Sequence, residues 1–229
     1  MENIQQPKTP EQIFSDFWER YQEDIEKALK KRDAVTLADE KNFSEALLKG
    51  IDWNNIASPA EENPQPNVML FDMSQTLDMG SKVARPSFPY LMEFIKKESN
   101  DAFQFQIVSN DSQKDIESFL ENSSQESLSF VSLEKPKNFD STQKWIYDDD
   151  SIWEDDDSNP FNKTEVDTRM YIGKKLVYIQ EICEIHSEIK NIVLIDDKIK
   201  KKETVTYKID DREINITLIP SPAKIKGKK

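Results

Sequence analysis

Apolar residues recur along this chain with two different spacings, and the change from one to the other marks out its organisation. In "TPEQIFSDFWERYQEDIEKALKKRD", Ile13, Phe14, Phe17, Trp18, Tyr21, Ile25 and Leu29 return every three or four residues, which predicts the apolar face of a helix. Thr9 stands as its N-cap, Pro10 takes the first helical position and Gln12 completes a capping box. A shorter helix is predicted near "FSEALLKGI", and the proline-rich "SPAEENPQPN" after it forbids regular structure. Strand and helix signals then alternate: "VMLFDM" reads as strand, "SFPYLMEFIKKES" as helix, "FQFQIVS" as strand, "SQKDIESFLENS" as helix and "LSFVSL" as strand. Helix resumes in "GKKLVYIQEICEIHSEIK" and strand in "NIVLID", and the pattern closes on a hairpin, "TVTYKIDDREINITLI", turning at Asp210 and Asp211. Such alternation predicts an α/β fold, a three-layer, Rossmann-like, mainly parallel sheet with helices on both faces, preceded by a helical extension.

The same pattern divides the chain. Residues 1–66 form the helical extension and its connector, packing on a core of residues 67–219, and residues 220–229 form a disordered basic tail ending in "KIKGKK". The core is interrupted at about 134–170, where seven of the ten residues from Asp148 to Asp157 are acidic. That density repels itself and predicts a solvated loop. The net charge of −13, from 31 basic and 44 acidic residues, argues against nucleic-acid or anionic-membrane partners, which are polyanions, and favours a basic protein partner. One cysteine, Cys183, and one histidine, His186, are too few for a disulfide framework or a Cys/His zinc site, and both read as helix-face residues. A reduced, cytoplasmic compartment is the natural expectation. No apolar run approaches the roughly 18 residues of a transmembrane helix, and "MENIQQPKTP" has no signal-peptide character.

Candidate chemistry lies where the buried strands stop, because ligands of open α/β sheets bind outside the carboxyl ends of the strands. The first strand runs into Asp72, the second ends on Ser109 in "IVSND", and the late one ends on Asp196 and Asp197 in "NIVLIDDK". "GKK" opens a helix and puts Lys174 or Lys175 within reach of the same crevice. Paired carboxylates suit a hard divalent cation with oxygen ligands, while a hydroxyl and a lysine suit a phosphate. Asn110 and Asp111, following Ser109, read as turn or helix-capping residues.

This ordered set resembles the haloacid dehalogenase superfamily of phosphohydrolases over roughly residues 67 to 200. The superfamily's first motif, D-x-D-x-T after a strand, stands here as Asp72, Met73, Ser74, Gln75, Thr76 and Leu77. The serine or threonine of the second motif matches Ser109, the lysine of the third matches Lys175 or, less well, Lys174, and the acidic pair of the fourth matches Asp196 and Asp197. The resemblance implies that Asp72 is a nucleophile forming an aspartyl-phosphate, and that Ser109 and Lys175 bind the phosphoryl oxygens. It further implies Mg²⁺ held by Asp72, Asp196 and the backbone carbonyl of Ser74, with Asp197 orienting the metal's surroundings.

Ser74 departs from the superfamily's pattern, in which the phosphatases carry an aspartate that protonates the leaving oxygen and then activates water. A serine does neither at neutral pH. Some relatives that accumulate the phosphorylated aspartate carry threonine there, so a slow or specialised phosphatase, a phosphate-binding pseudoenzyme and an engineered inactive variant all fit the sequence. Only 32 residues separate Thr76 from Ser109, too few for a large cap domain, so an open site and a phosphorylated protein or peptide substrate are expected. The alternative is a catalytically dead module of the same fold that holds phosphate, or a basic protein partner at the acidic loop. The Lys-, Ile- and Asn-rich style and the helical extension suit a bacterial effector acting in a host cytosol.

Overall fold

The computed structural model describes residues 8–30, 35–62, 64–80, 82–134 and 173–222, so most of the predicted acidic insert and the predicted basic tail lie outside the described residues. The chain runs α1 (Pro10–Leu29), α2 (Leu37–Gly50), β1 (Asn67–Phe71), α3 (Phe88–Glu98), β2 (Phe103–Ser109), α4 (Gln113–Asn122), β3 (Ser129–Ser132), α5 (Gly173–Ile185), β4 (Asn191–Asp196), β5 (Glu203–Ile209) and β6 (Arg212–Pro220). The strands form one six-stranded sheet in the order β3-β2-β1-β4-β6-β5. All neighbours are parallel except β5 and β6, which form the antiparallel hairpin at one edge. The architecture is thus α/β with a mostly parallel mixed sheet, compatible with a Rossmann-like fold.

Both faces of the central strands are buried, which is why they read as continuous apolar runs. From β1, Met69 and Phe71 point into a cluster with Phe17 and Ile25 of α1, Phe43 and Leu47 of α2, Phe94 of α3 and Phe119 of α4. Val68 and Leu70 point to the other side, into a cluster with Leu176, Ile179 and Cys183 of α5 and Ile216 and Leu218 of β6. Helices therefore cover both faces. The capping box predicted at Thr9 and Gln12 is present. Ring contacts such as Phe17–Phe94, with centroids 5.4 Å apart, fix α1 to α3.

Three boundaries differ from the pattern. α2 begins at Leu37, six residues before the predicted "FSEALLKGI", because Thr36 caps it and Asp39 completes a second capping box. α5 stops at Ile185 although the apolar spacing continues to Ile189. Ile189 is buried in the turn that follows, and the Lys190 amide donates to the Pro66 carbonyl at 2.9 Å, returning the chain to the foot of β1. β1 ends at Phe71, so Asp72 lies just beyond the strand. No helix among the described residues is long and apolar enough to cross a membrane.

Candidate active site

Register brings the candidate residues together. Phe71 pairs with Ile195 in the parallel β1–β4 ladder, so Asp72 and Asp196 emerge side by side from adjacent strands. The Asp72 amide donates to the Ile195 carbonyl at 2.9 Å, extending that ladder by one bond. Ile107 of β2 pairs with Phe71 on the other flank and sets Ser109 beside them. Lys175, one turn into α5, is 2 % exposed, and its Nζ lies 2.5 Å from both Asp72 Oδ1 and Asp196 Oδ2. Of the two lysines left open by the sequence, Lys175 is thus the one whose ammonium reaches these carboxylates.

The electrostatics follow from burial. Desolvation pushes the Asp72 carboxyl up to about 7; the Lys175 ammonium opposes this and the neighbouring Asp196 carboxylate adds to it. Burial acts to lower Lys175, but the Asp72 and Asp196 carboxylates outweigh it and hold its pKa above the ordinary lysine value. The Asp196 carboxylate also accepts from the Lys198 amide at 2.7 Å, and its carbonyl accepts from Ser221 at 2.9 Å, so its position is set from three directions.

Asp72, Asp196 and Asp197 each offer an oxygen within 4.8 Å of the others, a cluster able to hold a metal ion. Its chemistry fits a hard divalent cation: with Asp72 ionised, three carboxylates against the ammoniums of Lys175 and Lys198 leave a local excess of negative charge that a dication would offset. Asp197 is half-buried and pairs with Lys198 Nζ at 2.7 Å, so it stands at the mouth of the cluster.

Beyond Asp72 the backbone folds into a tight loop. The amides of Leu77 and Asp78 both donate to the Met73 carbonyl, and the Gln75 amide donates to Asp78 at 2.9 Å. Gln75 takes a positive φ of 64° to make this closure. The bonds use the Met73 and Asp78 carbonyls and the Gln75, Leu77 and Asp78 amides.

Asp111 is the residue whose contacts sequence reasoning missed. Of the two readings, turn or cap, it sits in the bend between β2 and α4, its amide donating to Ser109 Oγ at 3.2 Å, and it does not cap α4, since Ser112 does so by accepting from the Asp115 amide. Instead Asp111 Oδ2 accepts from Ser74 Oγ at 2.9 Å and from Ser109 Oγ at 2.5 Å, while its carbonyl accepts from Ser132 Oγ at 2.6 Å. The two candidate hydroxyls thus converge on one carboxylate. Cys183 lies on the buried face of α5, and desolvation pushes its thiol up to about 12, against the thiolate that a nucleophile needs. His186 lies past the end of α5 and pairs with Glu188 at 3.1 Å.

Comparison of the chain with models of known protein families, with curated proteins and with solved structures finds no match.

Proposed function

We propose that the chain is a Mg²⁺-dependent phosphohydrolase of the haloacid dehalogenase type, slowed by the serine at position 74, with a phosphoprotein as substrate. The observation that carries this reading is the cluster of Asp72, Asp196 and Asp197, with buried Lys175 between the first two, at the carboxyl ends of adjacent parallel strands. An Asp72 oxygen bonds to phosphorus as the bond from phosphorus to the ester oxygen breaks; water then cleaves the aspartyl-phosphate, freeing Asp72 and inorganic phosphate. Asp72, Asp196 and the Ser74 carbonyl would hold Mg²⁺, which would supply charge neutralisation between nucleophile and phosphoryl group. Lys175 compensates the charge passing through Asp72, and the Ser109 hydroxyl turns from Asp111 to a phosphoryl oxygen. Ser74 gives the leaving oxygen no proton, so that proton comes from solvent, at a cost of about 10² to 10⁴ in rate.

A short connection between β1 and α3 leaves the strand ends without a cap domain among the described residues, which favours a phosphorylated protein or peptide over a small metabolite. Action as a bacterial effector in a host cytosol belongs to the same proposal and rests on composition alone. One observation favours the second reading, a phosphate-binding module without turnover: position 74 offers no carboxylate, and its hydroxyl donates to Asp111 at 2.9 Å. Hydrolysis of an aryl phosphate with Mg²⁺ separates the two. The first reading expects slow, Mg²⁺-dependent release by the native chain, faster release by Ser74→Asp and none by Asp72→Asn. Folded native and Ser74→Asp proteins that both leave the ester intact would overturn it.

A further inference from the structure

A buried ion pair lies beneath the loop that carries Ser74. Arg85 is 2 % exposed and Glu40, from α2, has no exposed surface. Arg85 Nη1 pairs with Glu40 Oε1 at 3.2 Å, and Arg85 Nε donates to the Thr76 carbonyl at 2.5 Å. The Arg85 amide donates to the Leu77 carbonyl at 3.1 Å, so both the side chain and the main chain of one residue hold consecutive carbonyls of the loop. Glu40 Oε2 accepts from the Ser87 amide at 2.8 Å at the start of α3, and Phe43 of α2 lies under the guanidinium, 4.3 Å from its carbon to the ring centroid.

Replacing such a pair with apolar side chains of similar volume is often neutral or stabilising, so anchorage of α2 alone does not call for one. What an apolar pair lacks is the directed donor to Thr76, two residues from Ser74. We propose that Arg85, oriented by Glu40, is a positioning residue: it fixes the loop from Met73 to Asp78, so that the Ser74 carbonyl and the Asp72 carboxylate sit correctly for the cation and phosphoryl group. The N-terminal helical extension is by this route part of the site's construction. The assignment of cation and phosphoryl group rests on the function proposed above, whereas the control of the loop does not.

The test uses the full chain and the double variant Glu40→Met/Arg85→Met, with two readouts. Mg²⁺ affinity, and the further thermal shift given by beryllium fluoride as a phosphate mimic, read the site. Amide hydrogen exchange at Leu77 and Asp78, set against exchange in β1 and β2, reads the loop without any ligand. The double variant folds with a lower melting temperature, because the Thr76 carbonyl and the Ser87 amide lose their partners, binds Mg²⁺ at least about tenfold more weakly, and exchanges the two loop amides at least about tenfold faster relative to β1 and β2. Unchanged affinity and exchange in a folded double variant overturn the proposal. If the native chain responds to neither Mg²⁺ nor beryllium fluoride, the proposed function fails and loop exchange alone decides the role of Arg85. Should the double variant not fold, Glu40→Gln takes its place. It keeps the volume of the side chain and an acceptor for Arg85 but loses the charge, and a drop of about threefold in affinity with faster loop exchange is expected. No change in either overturns the proposal.

Discussion

Asp72 carries a proton affinity that its role as a nucleophile must overcome. Its carboxyl is pushed from the ordinary 3.8 to about 7 by burial, so between these values the folded protein holds a proton that the unfolded chain releases. Metal-free stability therefore falls as pH rises from about 4 to about 7 and levels off above that. Lys175, raised above its ordinary 10.5, contributes stability that is present below 10.5 and lost only above it, outside this window. Denaturant midpoints measured against pH should show the decline, and Asp72→Asn should flatten it between pH 4 and 7. A second expectation concerns position 74. An aspartate there would face the Asp111 carboxylate, which now accepts from Ser74 Oγ at 2.9 Å, and like charges at that range disfavour each other's ionisation. A raised proton affinity suits the group that must protonate the leaving oxygen. Ser74→Asp in an Asp111→Asn background should therefore hydrolyse an aryl phosphate with a pH–rate profile shifted to lower pH relative to Ser74→Asp alone, and superimposable profiles would show that Asp111 does not act on the new carboxyl.

At the scale of elements, the site depends on α2 seating closely on the sheet. Gly50, the last residue of α2, lies against Ile219 of β6; a β-carbon there would contact Cδ1 and fall 2.9 Å from Cγ1. Alanine favours a helix over glycine by up to about 1 kcal/mol, less at a helix end, whereas overpacking a close contact costs about 1–3 kcal/mol. Gly50→Ala is accordingly expected to lower the urea midpoint with an unchanged slope, and a rise in midpoint would show that Ile219 yields freely. β6 also explains why a hairpin closes the fold. Its apolar residues Ile214, Ile216 and Leu218 join the core beside α5, so β6 pairs with β4 in parallel and leaves β5, exposed at alternate positions, as the edge.

For the molecule as a whole, the cluster at the strand ends and the acidic stretch at 148–157 compete as places for a cation. A ligand that binds only the folded state at a hundredfold excess over its dissociation constant stabilises by about 2.7 kcal/mol. Thermal melts should show a Mg²⁺-dependent rise that Asp196→Ala weakens and that survives neutralisation of the residues from Asp148 to Asp157. The opposite result, a shift that persists in Asp196→Ala and disappears with the acidic stretch, would place the cation on that stretch and leave Asp72 as a strand-end carboxylate.

Much of this was legible in the sequence because it is written in local spacing. The period of apolar residues identified the helices and buried strands, Thr9 and Gln12 marked the start of α1, and the polar residues at strand ends located Asp72, Ser109 and Asp196. The signal at Thr36 and Asp39 was equally local and was there to be read. Which polar groups meet was decided only by the tertiary structure. Lys174 and Lys175 are neighbours in sequence, yet helical rotation turns only Lys175 between the two carboxylates. Asp111 looks like a turn or capping residue until the β1 and β2 strand ends are set side by side, and nothing local marks Glu40, which lies ahead of the predicted second helix, as the partner of Arg85. Local periodicity encodes which face of an element is buried; it does not encode which polar partner waits on the element packed against that face, and here those partners build the site.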